Sequence, residues 1–489
     1  MKKVILLLAL MVQMLLMAEN PQWLHIVNYE EKDIYRIQST AFEKIDSITF
    51  FRSMAGGDSL SYDIMRVTAT DGRIEEVYMS EGLEYVFGSN VPDIFVTTDP
   101  EVSEISSKTD YLSGSFVMKG YGNCEDVDTT AVRIRGRGNT SWLEPKKPYR
   151  LKFDKKISLC GLKKAKNYVL IANYIDNTLM KNAVAFEMAR LLGMPYTNHS
   201  IPVNVHLNGE YKGAYMLSEK VGINSGSVDI DEQTGILWEL DKNYDEDYKF
   251  KSAYFRNPVM LSDPDPEDLE LPDSVSVDDW FADRKADYNR MERDIYTGRY
   301  RNVVDSVQVL DYLLVHLVCG NRELNHPKSV KLYQEHPDSL YVFGPVWDFD
   351  WGFDYVNAPD MPLLQQGYSD LTGANMFYRI IRTDGFMEAF GRRWEYFRNE
   401  IYPQLQNFIY DYREYIRISA YQNGARWSAS GPEHTENSSE KFDLAVENLL
   451  DWLDERVKAI SEDPVYLLHT VAETDNFVSG QTEGSENFH

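Results

Sequence analysis

Asp348 and Asp350 stand two residues apart inside an aromatic run, Phe343-Gly344-Pro345-Val346-Trp347-Asp348-Phe349-Asp350-Trp351-Gly352-Phe353. Carboxylates among aromatic rings are costly unless a cation sits beside them. On an extended strand the two side chains aim the same way. Such a pair suits a hard divalent ion with oxygen ligands, magnesium or calcium. A salt bridge to arginine or a turn cap would satisfy the same residues.

A second segment, Gly320-Asn321-Arg322-Glu323-Leu324-Asn325-His326-Pro327-Lys328-Ser329-Val330-Lys331-Leu332-Tyr333, follows an apolar helical pattern and precedes a β-like run. Its density of Asn, Glu, His, Lys and Ser fits a catalytic loop on a buried scaffold. His326 is a candidate base, although a lone histidine serves more often as a hydrogen-bonding group.

Between Arg133 and Lys166 lie twelve Lys and Arg residues against only Glu144 and Asp154. The centre of this island is Arg135-Gly136-Arg137-Gly138-Asn139-Thr140-Ser141-Trp142, followed by Lys146-Lys147-Pro148-Tyr149-Arg150-Leu151-Lys152-Phe153. Glycines at 136 and 138 let backbone amides approach an anion, and Arg137 with its neighbours supplies the countercharge. A tight turn with solvated lysines reads the same residues without a ligand. As a strand, 149–153 puts Tyr149, Leu151 and Phe153 on one face and Arg150 and Lys152 on the other.

Glu187 lies within the apolar stripe of a helix expected over Asn177–Leu192, so its carboxylate must pair or reach water. A lysine from the basic strand is one natural partner. Other chemistries have no support. The sequence has no Gly-x-Ser-x-Gly elbow, no Gly-x4-Gly-Lys phosphate loop and no zinc-type His or Cys spacing.

These segments need a large scaffold. The chain has 489 residues, of which 43% are hydrophobic and 13% aromatic, enough for about three folding units. Its 77 acidic against 50 basic residues give a formal charge of -27, which opposes nucleic-acid binding. Cys124, Cys160 and Cys319 are too few and too scattered for a disulfide framework and read as buried free thiols.

Residues 1–18 have a basic start, an apolar run from Val4 to Met17 and a small residue at Ala18, the pattern of a secretory signal peptide. No later segment is apolar enough to span a membrane, so the expected location is secreted, periplasmic or cell-surface. Residues 19–92 read as a small all-β domain of short strands. Residues 93–240 mix strands with the helix over Asn177–Leu192, and Asn208-Gly209 predicts a hairpin between Val203–Leu207 and Tyr211–Leu217. Ser262–Asp279, with eight acids and three prolines, reads as a solvated linker. Beyond it, helical patterns cover Val303–Val318, Phe377–Trp427 and Glu440–Ile460, before a polar tail from 471.

In order and content, four words resemble the CotH kinase family, the spore-coat protein H group of atypical secreted protein kinases. They are Arg133–Trp142 with Lys146–Phe153, Leu170–Asn177, Asn208–Gly213 and Trp347–Phe353. The resemblance implies an α+β, atypical bilobal protein-kinase-like fold preceded by the small all-β domain. Its N-terminal lobe would span 93–240, and a mostly helical C-terminal lobe 241–470 would carry the catalytic loop and a metal-binding strand. It implies ATP as phosphoryl donor, with Arg137 as a nucleotide contact, Lys147 or Lys152 as the phosphate-contacting lysine and Glu187 as the helix partner of that lysine. Asp348, assisted by Asp350, would hold Mg2+ or Mn2+. Glu323, where relatives commonly carry Asp, would be the catalytic carboxylate. The implied partner is an acceptor protein phosphorylated on Ser or Thr. The alternative is a catalytically silent binding or scaffold protein on the same fold, engaging a nucleotide, a phosphorylated ligand or a glycan.

Overall fold

The computed structural model describes residues 91–355, 357–365, 372–427 and 438–468, together with the backbone of six strands before residue 91. The signal-peptide and tail expectations lie outside the described residues. The chain divides into two compact units, each discontinuous in sequence. One comprises residues up to Met180, Ser200–Glu219 and Ile409–Val446; the other comprises Lys181–His199, Lys220–Phe408 and the residues from Glu447.

In the first unit, strands β1 (Trp23–Glu30), β2 (Asp33–Ala41) and β6 (Leu83–Gly88) form one antiparallel sheet, and β3 (Ile45–Met54), β4 (Ser61–Ala69) and β5 (Ile74–Met79) form another. The short β-prone runs read from the sequence fall on these strands.

The same unit holds a closed seven-stranded barrel. Its strands are β7 (Asp93–Asp99), β8 (Leu112–Lys119), β9 (Val127–Gly136), β10 (Tyr149–Ile157), β11 (Ala165–Ile171), β12 (Ile201–Leu207) and β13 (Glu210–Glu219). The α+β class is as expected, but this barrel stands in place of the expected kinase-type N-terminal lobe. Local hairpins are visible in the sequence. The parallel pairing of β7 with β12, which helps to close the sheet, is not, because it joins residues more than a hundred positions apart. Ile94, Val96, Phe116, Val132, Ile134, Leu151, Phe153, Leu170, Val205 and Leu217 fill the barrel core. The predicted alternation on β10 holds: Tyr149, Leu151 and Phe153 are buried, while Arg150 and Lys152 are half-buried on the opposite face.

Asn208 (φ 50°) and Gly209 (φ 80°) make the predicted hairpin turn between β12 and β13. Both central residues need positive φ, which Asn-Gly tolerates best. Cys124 and Cys160 are not free thiols. They form a disulfide with a Cα–Cα distance of 4.7 Å. Barrel closure brings the β8–β9 and β10–β11 connections together, a proximity that a sequence separation of 36 conceals. Cys319 is the buried free thiol among the described residues.

The second unit is built on a five-stranded antiparallel sheet in the order β15 (Lys249–Lys251), β16 (Pro258–Asp263), β14 (Ile236–Leu240), β17 (Val330–Gln334), β18 (Val342–Phe343). Helix α1 (Lys181–Leu192) begins four residues later than the apolar pattern suggests. The preceding residues are held in turns: Asp176 Oδ1 accepts from the amide and hydroxyl of Thr178, and Asn173 Nδ2 donates to the Leu179 carbonyl. Helix α2 (Val277–Tyr296) is capped by Ser276, and α3 (Ser306–Val318) by Asp305, whose side chain accepts from two first-turn amides. The acidic stretch 262–279 ends strand β16 and then runs as a connection with one 3-10 turn, Pro266–Asp268, before α2 starts. Helices α4 (Thr372–Ile381), α5 (Phe386–Tyr396), α6 (Tyr402–Trp427), α7 (Ser438–Glu462) and α8 (Pro464–Leu468) follow, a π-helical segment Phe397–Ile401 joining α5 to α6; the stretches of α6 and α7 between Ile409 and Val446 belong to the first unit.

Ten of the thirteen residues of α3, Val309–Val318, are buried. It ends at Gly320, whose φ of 61° reverses the chain into a 3-10 turn, Arg322–Leu324, and the path then enters the sheet through β17. The polar loop 320–329 is therefore suspended between a buried helix and a buried strand, as expected for a rigid site.

Candidate functional site

The second unit gathers Glu323, Lys328, Ser329, Asp348 and Asp241 into one polar network. Glu323 lies on the 3-10 turn, and its amide is capped by Asn321 Oδ1 at 3.2 Å. Asn321 Nδ2 in turn donates to the Asp348 carbonyl at 2.9 Å, tying the two chemical loops together. Lys328 Nζ donates to Glu323 Oε1 at 2.8 Å and lies 3.9 Å from Asp348 Oδ2. The ammonium also sits 5.4 Å from the centre of the Trp351 ring. Ser329 donates through Oγ to Asp348 Oδ2 at 3.2 Å and through its amide to Asp241 Oδ2 at 3.1 Å.

Burial sets the electrostatics. The Glu323 side chain is 10% exposed, and its Oε2 is buried with no hydrogen-bond partner. Burial, then the Asp348 charge, pushes its carboxyl up to about 8, against the pull of Lys328. Burial works against the Lys328 ammonium, but Asp348 and Glu323 outweigh it and its pKa is raised. Asp241 is pushed up to about 6, chiefly by burial.

Asp348 and Asp350 do not share a strand face. Residues 344–349 are irregular, Asp348 has a left-handed φ of 65°, and Asp350 opens a turn. The strand β18 stops at Phe343, and Pro345 has no amide hydrogen with which to continue a ladder. The two carboxylates consequently meet different partners. Asp350 Oδ1 accepts from Asn182 Nδ2 on α1 at 2.5 Å, and Asn182 Oδ1 accepts from the Phe349 amide at 2.9 Å. Lys181, the first residue of α1, pairs with Asp354 at 2.8 Å. The start of α1 thus holds the 349–354 turn, a role that the sequence pattern does not mark.

Magnesium requires near-octahedral oxygen coordination at about 2.0–2.1 Å. Glu323 Oε1 and Asp348 Oδ2 instead face an ammonium, and a divalent ion between them would meet that positive charge at close range. The residues as arranged do not fit a metal ion bridging Glu323 and Asp348. Among the described residues, no cluster of three or more His, Cys, Asp or Glu side chains is disposed to hold one.

The other predicted residues have these positions. Glu187 is on α1 and pairs with Arg190, one turn along the same helix. His326 is exposed. Asn325 is a structural knot: its Nδ2 donates to the Arg322 and Leu363 carbonyls, both at 2.8 Å, and its Oδ1 accepts from the Gln365 amide at 2.7 Å.

In the barrel unit, Lys147 Nζ donates to the Trp142 carbonyl at 2.9 Å. Lys152 stands on β10 opposite Arg133, and Arg137 follows β9, its amide bonded to the Pro148 carbonyl at 3.2 Å. Gly138 adopts φ 82°, whereas a Cβ on Gly136 would lie 2.3 Å from the Trp142 ring. Gly136 is therefore a packing surface for indole.

The lysine that sequence reasoning passes over is Lys146. It is 1% exposed, donates to the Ala214 carbonyl and to Asn423 Oδ1, the latter at 2.7 Å, and lies 4.6 Å from the centre of the Tyr215 ring. Burial drives its pKa well below the usual lysine range. Its neighbour Lys147 has the same residue type, and only tertiary packing separates them. Asn423 also lines a pocket in this unit with Tyr174, Asp176, Asn177, Leu179 and Trp427.

The family model described as CotH kinase protein matches residues 132–460. No curated protein matches the chain. Among solved structures, one titled "The structure of hydra Fam20 with sugar" is 10% identical, covering 79% of this chain and 90% of that one, with a TM-score of 0.26. Kinase-like families of this kind generally use ATP and a divalent ion. On a match covering about two thirds of its length, the chain belongs to the CotH kinase family.

Proposed function

We propose that the protein is an exported kinase that transfers the γ-phosphoryl group of ATP to Ser or Thr of an acceptor protein. The observation that carries this reading is the buried Glu323 carboxylate, with one oxygen held by Lys328 and the other unpartnered. A carboxylate with one oxygen held and the other left without a hydrogen-bond partner is disposed to take a proton. In the proposed step the acceptor hydroxyl oxygen forms a bond to the γ-phosphorus, the bond from that phosphorus to the ADP oxygen breaks, and the hydroxyl proton passes to Glu323 Oε2. Lys328 positions Glu323. By family resemblance, Arg137 and either Lys147 or Lys152 are proposed nucleotide contacts, and Glu187, Asp348 and Asp350 are proposed functional residues of the second unit. Export is supported by the signal-like residues 1–18 and by the Cys124–Cys160 disulfide, a bond favoured by oxidising compartments. No described helix is long and apolar enough to cross a membrane.

A second reading, a catalytically silent binding or scaffold protein, draws on the same pair. A carboxyl pushed up to about 8 is mostly protonated at neutral pH and is a poor base there. Phosphotransfer from labelled ATP to an acceptor protein, with and without Mg2+ or Mn2+, separates the two. Under the kinase reading the native chain transfers label and Glu323→Gln loses about 100-fold or more. No transfer by the native chain, together with transfer by Glu323→Asp, identifies the silent form.

A further inference from the structure

Lys328 occupies an unusual place for a lysine. Its side chain is 12% exposed, within 2.8 Å of one carboxylate and 3.9 Å of another, and its stem follows Pro327 in a loop fixed at both ends. A buried ammonium survives only where anions or aromatic faces compensate for the lost water. Here Glu323, Asp348 and the face of Trp351 all converge on Nζ. Glu323 Oε2, on a side chain nine-tenths buried, is left without a partner inside the same cluster.

We infer that Lys328 is a resident cation, standing where a divalent ion would otherwise neutralise Glu323 and Asp348, so that the site engages its anionic ligand without a metal. The inference rests on the proposed reading only in naming that ligand, the phosphate group of a nucleotide. Its core, that Lys328 excludes a divalent ion, is independent of any nucleotide. A fixed ammonium 2.8 Å from Glu323 Oε1 and 3.9 Å from Asp348 Oδ2 repels a second cation at those oxygens, more strongly than in water because the site is largely enclosed. Removing the ammonium frees Glu323 Oε1 and Asp348 Oδ2 to ligate a divalent ion, whose binding displaces the proton that Glu323 would otherwise keep.

The test measures Mn2+ binding by electron paramagnetic resonance on the full chain, native and Lys328→Gln, together with ATP binding by calorimetry with Mg2+ or with EDTA. The variant should bind one additional Mn2+ about tenfold or more tightly than the native chain, and Lys328→Gln/Asp348→Asn should lose that gain. Native ATP affinity should be unchanged by EDTA, while Lys328→Gln should become metal-dependent. Equal Mn2+ binding by native and Lys328→Gln chains overturns the inference, as does native ATP binding that EDTA abolishes. If no ATP binds to either chain, the nucleotide reading fails and the Mn2+ comparison still decides the role of Lys328. If Lys328→Gln does not fold, Asp348→Asn in the native background serves instead: unchanged Mn2+ binding supports the resident cation, and loss of a bound ion overturns it.

Discussion

The side-chain amide of Asn182 holds Asp350 with its nitrogen, at 2.5 Å, and the backbone amide of Phe349 with its oxygen, at 2.9 Å. One residue at the start of a helix therefore fixes the conformation of the acidic turn that follows β18. Asn182 and Phe349 are both buried, so the bond between them has no water as a ready substitute, whereas Asp350 is half-buried. Asn182→Ala leaves the Phe349 N–H buried without its acceptor and should cost about 1–3 kcal/mol. Chemical denaturation of native and variant chains measures it. Asn182→Asp keeps an acceptor for Phe349 but faces Asp350 with a like charge, so its penalty should grow as pH rises through the carboxylate range.

How much of this is legible depends on distance along the chain. Period-two burial on β10, the Asn208-Gly209 hairpin and the buried helix before the 320–329 loop are local patterns, and each stands where the residues alone put it. Glu323 and Asp348 stand out in the sequence as polar residues between apolar runs, and both fall in the polar network around Lys328. Closure of the barrel, the Cys124–Cys160 bond and the grip of Asn182 on Asp350 are long-range pairings that no local pattern encodes. Lys328 and Lys146 are hidden for another reason. A lysine reads as a solvated charge until packing is known, and both of these are enclosed by their units.

Arg456 is 0% exposed and satisfies three carbonyls: Leu317 through Nε and Nη2, and Pro359 and Met361 through Nη1. Leu317 is in the last turn of α3, where its carbonyl also accepts from the Gly320 amide at 3.1 Å. The same side chain thus caps the helix that leads into the 320–329 loop. Arg456→Met fills similar space but removes four hydrogen bonds, the two to Leu317 being buried. It should destabilise by about 3 kcal/mol or more. Arg456→Lys, with one ammonium in place of a fork, should recover only part of that loss. Thermal and denaturant unfolding check both.

Glu323 also sets a pH dependence. Folded, its carboxyl is pushed up to about 8; unfolded, it titrates near about 4.3. Between those values the folded chain keeps a proton that the unfolded chain has released. Stability must then fall as pH rises through that window and level off above it. Asp241, at about 6 when folded, adds a descent of the same sign below about pH 6. His316, pushed down to about 3 by burial, acts in the opposite direction between about 3 and 6.5. Comparison with Glu323→Gln cancels both. The stability difference between native and variant should change with pH up to about 8 and be flat above it, measured by denaturant midpoints. A difference independent of pH from about 5 to about 8 would place the Glu323 pKa in the ordinary range (about 4) instead.

The Arg-Gly-Arg-Gly turn makes a prediction about packing. A Cβ at Gly136 would come within 2.3 Å of the Trp142 ring, which lies directly over that backbone. Gly138 has a different need, a left-handed φ of 82°, and a Cβ there would meet the Ser141 hydroxyl instead. Gly136→Ala should therefore displace the indole and cost about 1–3 kcal/mol through overpacking. The displaced ring also takes with it the carbonyl and the aromatic face that receive Lys147 Nζ. If the clash with Trp142 is the cause, Gly136→Ala in a Trp142→Ala background should cost much less, and the two losses should be non-additive by about 1 kcal/mol or more. Additive losses in that double-mutant cycle would mean that the glycine is needed for its backbone rather than for the ring above it.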